Sequence, residues 1–148
     1  EKRFDEERML PNVSLDDNRK LMIAITAFVA RAFKRGEGAV PMVAIREGLA
    51  LPTRIASKLV QQLVAAEVLN EVRRDEVEYD VAYAPARDIN TLRICDVLAA
   101  VDSHVEGTTE DLCGSAIARR SQSAVDGIKK VAAESDENRL ILEISDNE

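Results

Sequence analysis

Tryptophan is absent from this 148-residue chain and aromatic residues make up only 3% of it, so its interior must be aliphatic. Ala, Val, Leu and Ile pack well between helices, which favours an α-rich fold. Histidine occurs once, at His104, and cysteine twice, at Cys95 and Cys113, with neither CxxC spacing nor the partners for tetrahedral coordination. No metal site and no cofactor are expected. Cys95 lies within a helical apolar pattern, where a free thiol behaves as a small hydrophobe, and both thiols suit a reducing compartment. No run of about 18 apolar residues occurs, so no membrane span is expected within the chain, and no signal peptide opens it. It begins with Glu rather than Met, as an excised piece of a longer protein would.

With 46% hydrophobic and 32% charged residues, the chain can hold one core of ordinary size plus peripheral segments. The formal charge of −7 looks hostile to nucleic acid, but it is unevenly spread. Residues 12–105 carry 12 basic and 13 acidic side chains, whereas residues 106–148 carry 5 and 10. The central module is therefore nearly neutral and most of the acidity lies in the tail.

Along the chain, "NVSLDD" is a helix start, with Ser14 as cap and Asp17 three residues on completing a capping box. The helix runs toward Arg35 with Leu21, Met22, Ile25, Phe28, Val29, Ala32 and Phe33 on one face, and Gly36 and Gly38 stop it. Pro41 opens a short second helix that turns Met42, Ile45 and Leu49 inward. Pro52 occupies the first position of a third, where its missing N–H costs nothing. There Ile55, Leu59 and Leu63 form a stripe, flanked by Ala56, Val60 and Val64.

Two short helices joined by a tight turn after a longer one have the spacing of a helix-turn-helix. A hairpin follows: a strand at Leu69 to Arg73, a polar turn at Asp75 and Glu76, and a second strand in which Val77, Tyr79, Val81 and Tyr83 alternate with Glu78, Asp80, Ala82 and Ala84. A hairpin in that place is a wing. Pro85 ends the ladder for want of an N–H, and residues 87–91 lead to a fourth helix that packs Leu92, Val97, Leu98 and Val101 on the core.

Beyond Gly107, Thr109 starts a further helix to Ala133, with Leu112, Ala116, Ile117, Ala124, Val125, Ile128 and Val131 on a modest apolar face interrupted by Gly114 and Gly127. Leu140 to Ile144 form a short strand or helix that docks on the body or on a partner. The expected fold class is mainly α with a small β-hairpin: a winged helix-turn-helix with a C-terminal helical extension. Residues 1–13 are a lead, 14–106 the winged helix and 107–148 the acidic extension.

"LPTRIASKLVQQLVAAEVLNEV" followed by "YAPARDINTLRICDVLAAVDSH" resembles the cytoplasmic C-terminal winged-helix tail of the YihY/BrkB inner-membrane proteins, the group labelled ribonuclease BN. The resemblance rests on Pro52-Thr53-Arg54, Tyr83, the run from Pro85 to Asn90, and Leu92, and "FDEERMLPNVSLDDNRKL" looks like the juxtamembrane lead. It implies membrane helices ahead of Glu1 and a domain on the cytoplasmic face of a bacterial inner membrane. A more distant likeness is to winged-helix iron–sulfur transcriptional regulators. There a Thr caps the fourth helix after an aliphatic residue; here Arg93 follows Leu92, so that cap is lost or supplied by Thr91. Cys95 and Cys113, with 17 residues between them, do not reproduce that family's cluster ligands, and metal sensing is not carried over.

The third helix presents Arg54, Ser57, Lys58, Gln61 and Gln62 opposite its apolar stripe, a set suited to phosphates and base edges in a major groove. Arg73 and Arg74 add basic charge on the wing, whereas Asp75, Glu76, Glu78 and Asp80 would repel phosphate. Catalysis has little to stand on: His104 falls at a helix end, the wing acids keep a hairpin face wet, and Asp16 and Asp17 serve a helix start. Arg87 and Asp88 read as local partners that fix the loop after the wing, and Tyr79 and Tyr83 as core. The favoured reading is a non-catalytic interaction or regulatory domain of a membrane protein, with a protein partner or self-association through the helix from Thr109 to Ala133. The alternative is a DNA-binding regulator, and a tRNA-processing ribonuclease survives only through the family label.

Overall fold

The computed structural model describes residues 13–73, 81–104 and 114–146. In chain order the elements are α1 (Leu15–Lys34), β1 (Val40–Pro41), α2 (Met42–Gly48), α3 (Thr53–Ala65), β2 (Leu69–Arg73), β3 (Val81–Pro85), α4 (Ile94–Ser103), α5 (Ala116–Glu134) and α6 (Ile141–Asp146). The fold is mainly helical with one small antiparallel sheet of order β1-β3-β2.

Helix α1 begins where Ser14 accepts the Asp17 N–H on its Oγ at 3.0 Å, with Asp16 and Asp17 against the positive end of the helix dipole. The expected stripe is the core side: Met22, Ile25 and Val29 are buried, joined by Ala27, Ala30 and Thr26. Thr26 is buried at no polar cost because its hydroxyl donates to the Met22 carbonyl at 2.7 Å. Phe33 departs from expectation: it stands 49% exposed at the end of the helix, as the chain turns away. The core continues through Ile45, Leu59, Val60, Leu63, Val68 and Leu69, then Leu92 and Val97. Each such aliphatic side chain contributes about 1.5–3 kcal/mol of transfer free energy.

Three helices end in the same way. The C″ N–H returns to the carbonyl at C3, Glu37 to Ala32 (3.0 Å), Leu51 to Arg46 (2.9 Å) and Val68 to Leu63 (2.9 Å), with the C′ N–H bonded to C2. These are Schellman motifs, which need a left-handed residue at C′. Gly36 supplies it after α1 at φ 78°, but Ala50 (φ 52°) and Glu67 (φ 60°) supply it after α2 and α3. Both ends of the segment carrying α3 therefore hold residues in a conformation that L side chains disfavour.

The wing differs from a simple hairpin. Val40 and Pro41 pair with Tyr83 and Ala82, so β3 is the middle strand, with Leu69 to Arg73 on its other side. Adjacent residues point to opposite faces, yet Tyr83 (8%) and Ala82 (0%) are both buried. Ala82, expected on the outer face, is thus covered, because β3 has neighbours on both edges and packs on α1. Arg74, Asp75, Glu76, Val77, Glu78, Tyr79 and Asp80 lie outside the described residues.

The extension behaves as two parts. Ser115 caps α5 by accepting the Ala118 N–H at 3.1 Å, while Thr109, Leu112 and Cys113 lie outside the described residues. No residue of α5 is buried. The segment from Leu140 onward does the reverse: Leu140 bridges Arg93, and α6 packs on α1 with Ile141 and Leu142 in the core. The docking expected of this segment is thus on the body.

Two measurements test these placements. Ala50→Gly and Glu67→Gly should each raise the unfolding free energy by roughly 0.5–1 kcal/mol, since the left-handed strain that glycine relieves exceeds what it costs in chain entropy; denaturant midpoints read the change. Burial first, and the Glu71 carboxylate second, push the Tyr83 phenol above its ordinary 10.0. The folded chain therefore keeps that proton to higher pH than the unfolded chain. Tyr83's contribution to stability is complete below pH 10 and is lost as pH rises through the folded value. Alkaline denaturant titrations should show a decline that Tyr83→Phe lessens.

Candidate nucleic-acid interface

Helix α3 is amphipathic and half-embedded. Ala56, Leu59, Val60 and Leu63 are buried, while Ile55 and Val64 pack at the margin of the core. On the opposite side Arg54, Lys58 and Gln61, at i, i+4 and i+7, are exposed and form one stripe along the helix. Ser57 stands beside the stripe, half-buried. Gln62 does not join it: its Oε1 is buried and has no hydrogen-bond partner among the described residues. The geometry removes Gln62 from the readers proposed from the sequence.

Charge on α3 is of one sign. The segment from Thr53 to Ala65 contains Arg54 and Lys58 and no acidic residue, in a chain whose net charge is −7. No ion pair among the described residues engages Arg54, Lys58 or Arg73. Pro52 is the N-cap, one position earlier than expected, and offers no side-chain acceptor, so the first turn of α3 carries no side-chain cap. Uncapped first-turn amides suit an anion as partner.

Three contacts hold the stripe in place. Gly48 lets the end of α2 close against α1, since a Cβ there would sit 2.5 Å from the Phe28 ring. The Schellman turn at Ala50 then sets the angle into α3. At the far end Arg87 donates from Nε to the Glu67 carbonyl (3.2 Å) and from Nη2 to the Ala66 carbonyl (3.4 Å). It thus satisfies the helix's terminal acceptors from 20 residues away. Arg87 and Asp88 are therefore not each other's local partners. Asp88 does fix its own loop, accepting from Asn90 N–H at 2.9 Å and from the Asn90 amide at 3.1 Å. No spacing rule announces Arg87's role, because its partners are carbonyls distant in sequence.

Arg73 closes β2 in an exposed position opposite Val81, on the strand that follows α3. Arg74 is outside the described residues. Of the other candidates, His104 is the exposed C-cap of α4, and Cys95 is a free, half-buried thiol. Among the described residues no cluster of His, Cys, Asp and Glu is grouped to hold a metal. Arg93 is the N-cap of α4, and Thr91 does not replace the lost cap, its hydroxyl donating to the Asp88 carbonyl at 3.3 Å. Asp96 instead accepts the Arg93 N–H at 2.9 Å.

A second surface lies on α5. Ile117 (75%), Ile128 (70%) and Val131 (69%) are exposed, and with Ala124 and Ser121 they repeat at alternating spacings of four and three, the seam of a helix that packs on another helix. Between α5 and α4 runs a groove of about 650 Å³ lined by Leu98, Ile128, Ala132 and, at its polar edge, Arg19, Asp102 and Lys129. Arg19 Nη2 and the Asp102 carboxylate are 3.4 Å apart and partly exposed, a link of at most about 1 kcal/mol between α1 and α4.

No family model and no characterised protein sequence matches this chain. Solved structures do. IscR of T. potens aligns over 95% of this chain and 91% of its own with 20% identity and a TM-score of 0.58. CymR (YrzC), the global cysteine regulator of B. subtilis, aligns over 94% and 99% with 16% identity and a TM-score of 0.59. A Listeria innocua protein assigned as a transcriptional regulator aligns over 88% and 85% with 16% identity and a TM-score of 0.56. None of these findings supports the resemblance to the YihY/BrkB tail, and among the described residues no helix is long and apolar enough to cross a membrane. The likeness establishes the fold: this chain is a winged helix built like those regulators, and the matches cover nearly all of it.

Proposed function

We propose that this chain is a DNA-binding winged-helix regulator that works as a homodimer, with α3 in the major groove and α5 as the pairing helix. The carrying observation is the stripe of Arg54, Lys58 and Gln61, exposed on a helix without acidic residues and backed by a rigid core. Arg54 and Lys58 would meet phosphates or guanine edges, Gln61 and Ser57 would hydrogen-bond base edges, and Arg73 would contact backbone beside the groove. Regulators among the structural neighbours support this reading over the membrane-tail one. The ribonuclease reading gains no residue: His104 caps a helix, and no acid stands beside Lys58 or Arg54 on α3.

Pairing follows from the exposed seam. A free surface of Ile117, Ile128 and Val131 is costly in water, and a second copy of the same helix covers it at no cost in specificity. Two copies would also present two α3 helices to one duplex, which offsets the modest charge of each.

Duplex binding should therefore be strongest at low salt and weaken steeply as salt rises. Arg54→Ala and Lys58→Ala should each lower the salt slope by about 1 for every phosphate no longer neutralised. Fluorescence anisotropy over a salt series reads this, and a wild-type protein that binds no duplex even at low salt would end the DNA reading. Ile128→Glu should give a monomer in analytical ultracentrifugation with its circular dichroism unchanged, and weaken duplex binding. A dimer that survives this substitution would place the pairing surface elsewhere.

A further inference from the structure

Two polar side chains are buried among the described residues, Thr26 and Asn138. Thr26 is satisfied within its own helix. Asn138, only 6% exposed, is satisfied by two other elements. Its Oδ1 accepts the Cys95 N–H in the first turn of α4 at 2.8 Å, and its Nδ2 donates to the Ala133 carbonyl in the last turn of α5 at 3.0 Å. Its own carbonyl accepts from Arg93 Nη1 at 2.8 Å. Beside it the Arg139 carbonyl accepts the Ile94 N–H (3.0 Å) and Ile141 N–H reaches the Leu92 carbonyl (2.9 Å).

This clip matters because nothing else among the described residues anchors α5 as firmly. Helix α5 has no buried residue, so apolar packing does not set its direction relative to the winged helix. The chain turns sharply from Glu134 to Leu140, and Asn138 stitches both arms of that turn together. Few side chains could do so. The amide accepts from one helix and donates to the other at once; a carboxylate can only accept, and an aliphatic group of similar size does neither.

We propose that Asn138 is a positioning residue that fixes the angle between α5 and the winged helix, and through it the separation of the two α3 helices in the paired protein. The second clause rests on the proposed function; the first does not. In a dimer joined through α5, any change of that angle is carried to both α3 helices in opposite senses, so a loose joint blurs the half-site spacing that a rigid one enforces.

The experiment has two arms, both on the full chain. In the first, nitroxides at Glu47→Cys on α2 and Ser123→Cys on α5, in a Cys95→Ser, Cys113→Ser background, are diluted with unlabelled protein so that pulsed electron resonance reads the distance within one copy. Cys95→Ser keeps the N–H that Asn138 accepts. The native clip should give one narrow distance, and Asn138→Leu should broaden it about twofold, the loss of precision expected when a supporting hydrogen-bond shell is removed. Asn138→Asp, which keeps the Cys95 bond and loses the Ala133 bond, should fall between. Unchanged widths in both variants would overturn the positioning role. If Asn138→Leu loses cooperative unfolding, Asn138→Asp decides alone.

In the second arm, duplexes of about 40 base pairs, room for two half-sites, are enriched from a random pool by the wild-type protein and remade with one base pair added or removed between half-sites. Wild type should lose about tenfold in affinity on the altered spacings, and Asn138→Leu should lose less than half of that discrimination while remaining dimeric. Retained discrimination in the variant would overturn the link to spacing and leave DNA binding standing. If wild type enriches no duplex, the DNA reading falls and the distance arm alone decides the role of Asn138.

Discussion

The structure depends on α3 being buried along one side only. Ala56, Leu59, Val60 and Leu63 enter the same core as Ile25 and Val29 of α1, and that burial holds a helix whose other side has nothing of its own to pack. Thirteen residues are too few for a helix to persist in water unaided. The apolar stripe therefore does two things with one set of residues: it gives the core much of its volume and leaves Arg54, Lys58 and Gln61 facing outward on a rigid support. Its two ends are held by turns that use non-glycine residues in a left-handed conformation, Ala50 before and Glu67 after. The tertiary structure tolerates this strain because Leu51 and Val68, next in each turn, return hydrogen bonds to the preceding helix.

Electrostatics follow from that division. A chain with charge −7 presents a helix with two cations and no acid. At about 8–10 Å of screening in physiological salt, the field a phosphate meets is local rather than global. The acidity concentrated after residue 106 is then compatible with a basic stripe elsewhere on the molecule.

Much of the fold is legible in the sequence because it is periodic. The apolar positions of α1 and α3 repeat at three and four, so the helix-turn-helix can be read directly, and with it the outward set of Arg54, Lys58 and Gln61, with Ser57 half-buried beside it. Other features carry no period. β1 is two residues long and pairs with β3 from more than 40 residues away, Val40 with Tyr83; without it Ala82 looks exposed. Gln62 sits at the margin of the stripe, half-buried, where one residue of rotation decides between a reader and a side chain whose Oε1 is covered. Proximity in sequence pairs Arg87 with Asp88, although its acceptors are the carbonyls at the end of α3. Backbone carbonyls carry no sequence signature, so side chains that serve them cannot be matched by spacing. The choice between the membrane tail and the regulators is also beyond reach of the sequence, since the motifs that suggest either one, such as the run from Pro85 to Asn90, are structural parts of a winged helix.

The same logic explains α4. Its N-cap is Arg93, whose side chain has no acceptor to offer the first-turn amides, and local propensity would let such an end fray. The missing acceptors come instead from Asp96 in the same turn and from Asn138 and Arg139, more than 40 residues on. A local deficiency is thus met by a distant segment, and the consequence runs in both directions: α4 is completed only when residues 138–141 are in place, and α5 is oriented only when α4 is formed. Because Ile141 and Leu142 follow immediately and enter the core beside α1, the clip is anchored by apolar burial on one side while reaching the exposed helix on the other. An amphipathic arm with no packing of its own thereby acquires a defined direction, which a pairing helix must have if two copies are to set α3 helices at one separation.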